Sequence, residues 1–214
     1  MDPASQAPNQ DMAAEIVRKA MEPIDGVLLP AGDPARHRDR DEIHAALRAL
    51  HPPVDRGTVA LLVARSPNDH ARSTPAKVRL APGDPLPGDR WDPANKHGDA
   101  NQLTLMNVDV ARVFCNGQAL TLPGDNLLVD LDLGHDNLPT GSLLAVGSAV
   151  LEITAKAHNG CKQFVQRFGK PSMLATVDAE FAGRRLRGVH ARVVTAGDVA
   201  VGDAIVVRRR GEGA

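Results

Sequence analysis

His158-Asn159-Gly160-Cys161-Lys162-Gln163-Phe164 is the stretch of this chain best placed to do chemistry. An apolar run ending near Ala155 predicts a strand, which passes through a short loop into a helix whose first turn contains Cys161. That position sets the sulfur against unsatisfied backbone N–H groups and the positive end of the helix dipole, which lowers a thiol pKa. Lys162, and His158 when charged, push the same way, toward a thiolate that can act as nucleophile, sulfur carrier or soft-metal ligand. The alternative is that Cys161 packs inertly beneath its helix, as free cysteines often do. Cys115, at a helix end after Val113-Phe114, reads as a packing residue.

Positive charge near such a thiolate would hold an anion. Arg167 ends the cysteine helix, and Arg184, Arg185 and Arg187 precede a strand that begins Gly188-Val189-His190. Arginine's planar fork suits phosphate bidentately, although three neighbouring arginines also describe a solvated surface. In Gly88-Asp89-Arg90-Trp91, Arg90 could bind an anion and Trp91 could cover an apolar ligand face. Equally, Asp89-Arg90 could be a turn-fixing ion pair and Trp91 a core plug. Gly124-Asp125-Asn126 reads as a tight turn, with Asn126 a possible pocket residue. The eight histidines do not fall at zinc-ligand spacing, and no phosphate-loop, dinucleotide, zinc-protease, nucleophile-elbow or paired C-x-x-C motif occurs.

The elements that must position these residues are short. Apolar spacing predicts a polar arm to about residue 10, a helix from Asp11 to Met21, and a second helix from Asp39 or Asp41 to Leu50, stopped by Pro52-Pro53. After Arg56-Gly57 the texture becomes β-rich, with strands near Val59–Ala64, Lys77–Leu80, Gln102–Leu105, Leu143–Val146, Ala149–Ala155, Val189–Val194 and Ala204–Arg208. Gly147-Ser148, Gly197-Asp198 and Gly202-Asp203 read as turns. Helices are expected at Asn107–Phe114 and at Cys161–Phe168, the latter closed by Gly169. The fold class is mainly β, a barrel with a few short helices and a short N-terminal helical extension. Residues 1–55 form an arm and two helices, and residues 56–214 form a barrel expected to stand without them.

In 214 residues, 25 Lys and Arg balance 26 Asp and Glu, and 43% of residues are hydrophobic. That balance opposes a nucleic-acid or anionic-membrane binder. With one Trp, no Tyr and four Phe, base-stacking platforms are not expected. No apolar run approaches the ~20 residues of a membrane span. With no secretory signal and two cysteines, a soluble, cytoplasmic protein with free thiols is expected.

Four blocks in order carry a family resemblance: GDPLPGDRW followed by QLTLMNVDVARVF, PGDNLLVDLDLGHDNLPTGSLLAVGSAVLEIT, HNGCKQFVQRFG, and RLRGVHARVVTAGDVAVGDAIVV. The region from Val59 to Arg208 resembles the MOSC domain, the module related to the C-terminal part of molybdenum cofactor sulfurases, in its stand-alone bacterial form. The resemblance implies a barrel with a cleft whose hallmark cysteine, matched by Cys161, carries a persulfide or ligates molybdenum of a bound molybdopterin cofactor. It further implies candidate cofactor contacts at His158, Lys162, Arg167, Arg185, Arg187, Arg90, Trp91 and Asn126, around a small anionic ligand. Pyridoxal phosphate binding attaches to the family only as a general term. Many members have Pro-Cys where this chain has Gly160-Cys161. Within these residues there is no aminotransferase-like domain and no iron–sulfur cysteine cluster, so a cysteine desulfurase or an electron-transfer protein would be the partner. The activities implied are sulfur transfer or a part in reducing N-hydroxylated compounds. The competing readings are a non-enzymatic barrel that binds a small molecule or partner, and a thiol sensor.

Overall fold

A computed structural model describes residues 10–23, 26 and 29–212; the polar arm read at the N-terminus lies almost wholly outside them. Seven strands close a barrel: β1 (Arg56–Leu62), β5 (Leu103–Asn107), β6 (Leu127–Asp130), β7 (Leu143–Val146), β8 (Ala149–Ile153), β9 (Val189–Thr195) and β11 (Ala204–Arg209). Their order around the barrel is β1-β11-β7-β8-β9-β5-β6, returning to β1. Two small pairs lie outside that ring: β2 (Ala64–Arg65) with β3 (Arg72–Ser73), and β4 (Lys77–Leu80) with β10 (Gly197–Ala200). The expected mainly β barrel with a few short helices is the fold observed.

Neighbouring barrel strands are antiparallel except β5 and β6, which run parallel. A parallel pair needs a crossover, and α3 (Val108–Cys115) supplies it. Asn107 starts that helix by accepting from the amides of Asp109 and Val110 at 2.9 and 3.0 Å. Asn116, left-handed at φ 44°, ends it. Gly147-Ser148 joins β7 to β8, as the sequence suggests. Gly197-Asp198 is not a turn but the start of β10, where Asp198 pairs with Lys77 and Arg79 across the register. Strand β6 has no counterpart in the sequence reading.

The barrel interior is aliphatic, with Leu62, Leu105, Leu127, Leu144, Leu151 and Ile205 among its buried side chains. A second core lies outside the barrel wall, where Met106, Leu128, Phe114, Phe164 and Phe168 meet Ile43 and Leu47 of α2 (Arg40–Arg48). Asp39 caps α2 in a reciprocal capping box with Glu42. α1 (Gln10–Met21) packs on α4 (Lys162–Ala175), burying Ala20 in the same core. The N-terminal helices thus form one wall of a core shared with α3 and α4.

Helix α4 runs past the expected stop. Gly169, at φ 81° and ψ 163°, does leave the helical conformation, but the chain resumes its turns and continues to Ala175. Pro171 falls in the first turn after that kink, where a missing N–H costs nothing. A side chain at residue 169 would run into the imidazole of His37.

Candidate functional site

Strand β8 ends at Ile153, and residues 154–160 carry the chain into α4. Cys161 is the N-cap of that helix rather than part of its first turn. Its backbone is extended at φ −138° and ψ 175°, and its side chain makes no capping bond. The thiol is exposed, on a cleft lined also by Arg65, Arg72, Arg90, Arg167 and Arg187. The cleft's empty volume, mouth included, is about 560 Å³. A side chain at residue 160 would press on the thioether of buried Met173, which would have to move. Cys115, by contrast, is buried at the end of α3, and burial pushes its thiol up to about 12.

Five guanidinium groups share the cleft, but among the described residues only two have carboxylate partners. Arg65 clasps Asp89 through Nε at 2.8 Å and Nη2 at 2.7 Å, and Arg187 donates to Asp125 at 2.7 Å. Arg167 donates to the carbonyls of Pro30, Leu122 and Leu29 at 2.9, 3.0 and 3.2 Å, neutral acceptors that fix the group and leave its charge in place. Among the described residues the side chains of Arg72 and Arg90 have no hydrogen-bond or ion-pair partner, and Arg72 Nε is buried. Burial, then the neighbouring charges of Arg167, Arg65 and Arg90, bring the Arg72 pKa down to about 10. Burial also lowers Arg90 and Arg167, and in both the Cys161 thiolate opposes the shift. An anion in this cleft would relieve like-charge repulsion that the protein leaves unbalanced.

The residues nominated from sequence divide accordingly. Arg90, Arg167, Arg187 and His158 line the cleft with Cys161. Lys162 does not; its ammonium pairs with Glu22 at 2.8 Å. Arg185 also lies elsewhere, donating to the Leu138 carbonyl at 2.6 Å and to His135 at 3.3 Å. Trp91 is buried away from the cleft lining, its indole N–H donating to Asn101 at 3.1 Å. Asn126 is fully buried and supports the site instead: it accepts from Thr104 at 3.1 Å and donates to Asp89 at 3.0 Å. The suggested Asp89-Arg90 ion pair does not form, because Asp89 is taken by Arg65. Sequence alone does not single out Arg65, Arg72 or Asp125 for the site. Only Asp125 sat in a noted motif, and its link to Arg187 spans 62 residues.

His158 is not a charged neighbour of the thiolate. Its side chain is largely buried, its ring lies tilted against that of His190 at 4.5 Å between centroids, and its Nδ1 lies 3.5 Å from Asp125. Burial, then Arg187, hold its pKa well below the ordinary 6.5. Burial likewise lowers His190 to about 4. Unfolded, both rings take up a proton near 6.5; folded, they resist until the pH is far lower. The unfolded chain thus binds more protons across that window, so this pair makes stability fall as pH drops below 6.5, for His190 until about pH 4. Urea midpoints measured from pH 7 to pH 4 are expected to fall less steeply in His190→Gln than in the wild type. Parallel slopes would show that the rings charge in place.

Among the described residues no helix is long and apolar enough to cross a membrane. No curated protein matches the chain. The crystal structure of YuaD from Bacillus subtilis superposes with a TM-score of 0.53, at 16% identity, over 72% of this chain and 97% of that one. A second crystal structure, of a hypothetical protein, gives 0.55 at 16% identity over 73% and 70%. YiiM from Escherichia coli gives 0.49 at 14% identity over 72% and 71%. Residues 115–206, from the end of α3 through β11, match the sequence profile of the MOSC domain. Residues 115–206 thus match the MOSC domain, and the closed barrel that presents Cys161 has the fold of a MOSC-type barrel.

Proposed function

We propose that the Cys161 cleft binds a phosphate-bearing molybdenum cofactor, with the Cys161 thiolate as its soft protein donor. The observation that carries this reading is an exposed sulfur among five arginines, two of them unpartnered among the described residues, one of those with a buried, unsatisfied Nε. The charge fits a pterin phosphate, and the thiolate fits molybdenum or a sulfane sulfur. Such a cofactor, when bound, supplies two-electron oxygen-atom or sulfur chemistry.

The chain's own residues hold and shield. Arg72 and Arg90 offer free guanidinium forks to the phosphate, while Arg65, Arg167 and Arg187 are fixed by their own bonds and contribute charge. Among the described residues no three His, Cys, Asp or Glu side chains gather as a metal cage. Cys161 is accordingly the protein donor this reading assigns. Because the thiol is exposed, a persulfide donor can also reach it: the thiolate attacks the donor's outer sulfur, and the donor's thiolate leaves. A cysteine desulfurase or an electron-transfer protein would be the partner.

The test is molybdenum content, oxidised-pterin fluorescence and sulfane sulfur on protein purified from cells that make the cofactor. Wild type is expected to retain molybdenum and pterin together. Cys161→Ser should lose the metal or sulfane sulfur. Arg72→Gln/Arg90→Gln should retain pterin at least about tenfold less well, since each lost charged hydrogen bond costs roughly 1.5–3 kcal/mol. Wild-type protein free of molybdenum, pterin and sulfane sulfur would overturn the reading in favour of a barrel that binds some other ligand.

A further inference from the structure

A second cavity lies behind the loop that delivers Cys161. Its walls include Lys156, Arg185, Val177 and Leu186, and it shares His158, Asn159 and Arg187 with the cleft. Its empty volume, mouth included, is about 710 Å³.

The lining contains Lys156, Arg185 and Arg187 and no Asp or Glu. Arg187 is neutralised by Asp125, which leaves two positive charges. Lys156 has no ion-pair partner among the described residues; only its backbone carbonyl is engaged, by His190 at 3.1 Å. Arg185 is held by the carbonyls of Leu133 and Leu138 and by His135, so its charge is fixed without being cancelled. Burial lowers its pKa to about 10, a cost that a bound anion would offset. Because Arg185 Nε donates to His135 Nε2, the neutral His135 ring carries its proton on Nδ1 and can donate through it. The one carboxylate sensed by His135, Asp136, is exposed and is not part of the lining. Between these donors the walls are apolar: Ala157, Val177, Ala182, Leu186 and Val189. Paired polar anchors on an apolar wall suit a ligand with one charged end and a compact body.

We propose that this cavity is a binding site for a small organic anion, a carboxylate or phosphate ester on a compact apolar body, distinct from the Cys161 cleft. The proposal does not rest on molybdenum chemistry. A ligand seated there touches residues 154–160, the segment that carries Cys161 into its helix.

The test uses the full chain with benzoate and phenyl phosphate as probes and benzamide as the neutral counterpart, read by isothermal titration. Benzoate, with about nine heavy atoms, should bind with a dissociation constant of roughly 1 mM. Benzamide should bind at least about tenfold more weakly, since it lacks the charge-assisted hydrogen bonds. Lys156→Gln should weaken both anions about tenfold. Ala182→Phe, which fills the cavity, should abolish binding of benzoate and benzamide, with thermal melts confirming that each variant folds. Arg90→Gln, in the other cleft, should leave benzoate affinity within about twofold. Absence of saturable anion binding, or benzamide binding as tightly as benzoate, would overturn the proposal. So would anion binding lost in Arg90→Gln and kept in Lys156→Gln, which would put the anions in the Cys161 cleft.

Discussion

Asp125→Ala is expected to destabilise the fold by about 3–5 kcal/mol, the cost of stranding one charge of a buried pair. Asp125 is 1% exposed, and its Oδ2 accepts from Arg187 at 2.7 Å. Without it the Arg187 guanidinium keeps only the Pro123 carbonyl at 3.4 Å, the Met106 sulfur at 3.9 Å and the face of Phe164 at 5.2 Å. None of these neutralises its charge. Removing both charges together, in Asp125→Leu/Arg187→Met, should recover most of the loss, because the desolvation cost goes with them. Urea unfolding of the two variants against wild type gives the comparison. A loss below about 1 kcal/mol in the single variant would mean that water entering from the cleft already solvates Arg187.

A chain beginning at Val54 is expected to lose cooperative unfolding. Ile43 and Leu47 are fully buried against the helices outside the barrel, and each such side chain contributes about 1.5–3 kcal/mol. Arg167 would lose its acceptors at Leu29 and Pro30, and Arg184 those at Leu47 and Leu50. Phe168 and Met173 would be uncovered. Within the intact chain, Leu47→Ala should cost about 2–5 kcal/mol. Circular dichroism of the truncated chain in urea decides the matter: a sigmoidal transition at the wild-type midpoint would show that the barrel carries its own stability.

The cysteine, its strand-loop-helix setting and most of the barrel strands are legible because they are local. Alternation marks β8, whose side chains point in turn to the interior and to the surface. Strand β6 shows no alternation, since Leu127 and Val129 face the barrel interior while Leu128 lies in the core beneath the helices. A strand buried on both sides reads as a plain apolar run. Strand β10 is masked by Gly197-Asp198, a pair that favours turns in isolation but here sits in register with Leu80 and Arg79. Arg65 and Arg72 leave no signal because their roles arise only when β2 and β3 pair beside the cleft. Lys162 and Arg185 show the converse: neighbours of a site in sequence, they are drawn away by Glu22 and by the Leu133 and Leu138 carbonyls.

The barrel's seam joins its first strand to its last, with Arg56 opposite Val206 and Thr58 opposite Ala204. During vectorial synthesis β1 therefore leaves the ribosome long before the strand that closes the ring exists. Closure waits for roughly 150 further residues, a long-range contact of the kind that slows folding. Until then β1 and β7 present open edges to other nascent chains. A stop codon just before Ala204 would make that interval permanent, leaving an open sheet with two sticky edges in place of a barrel.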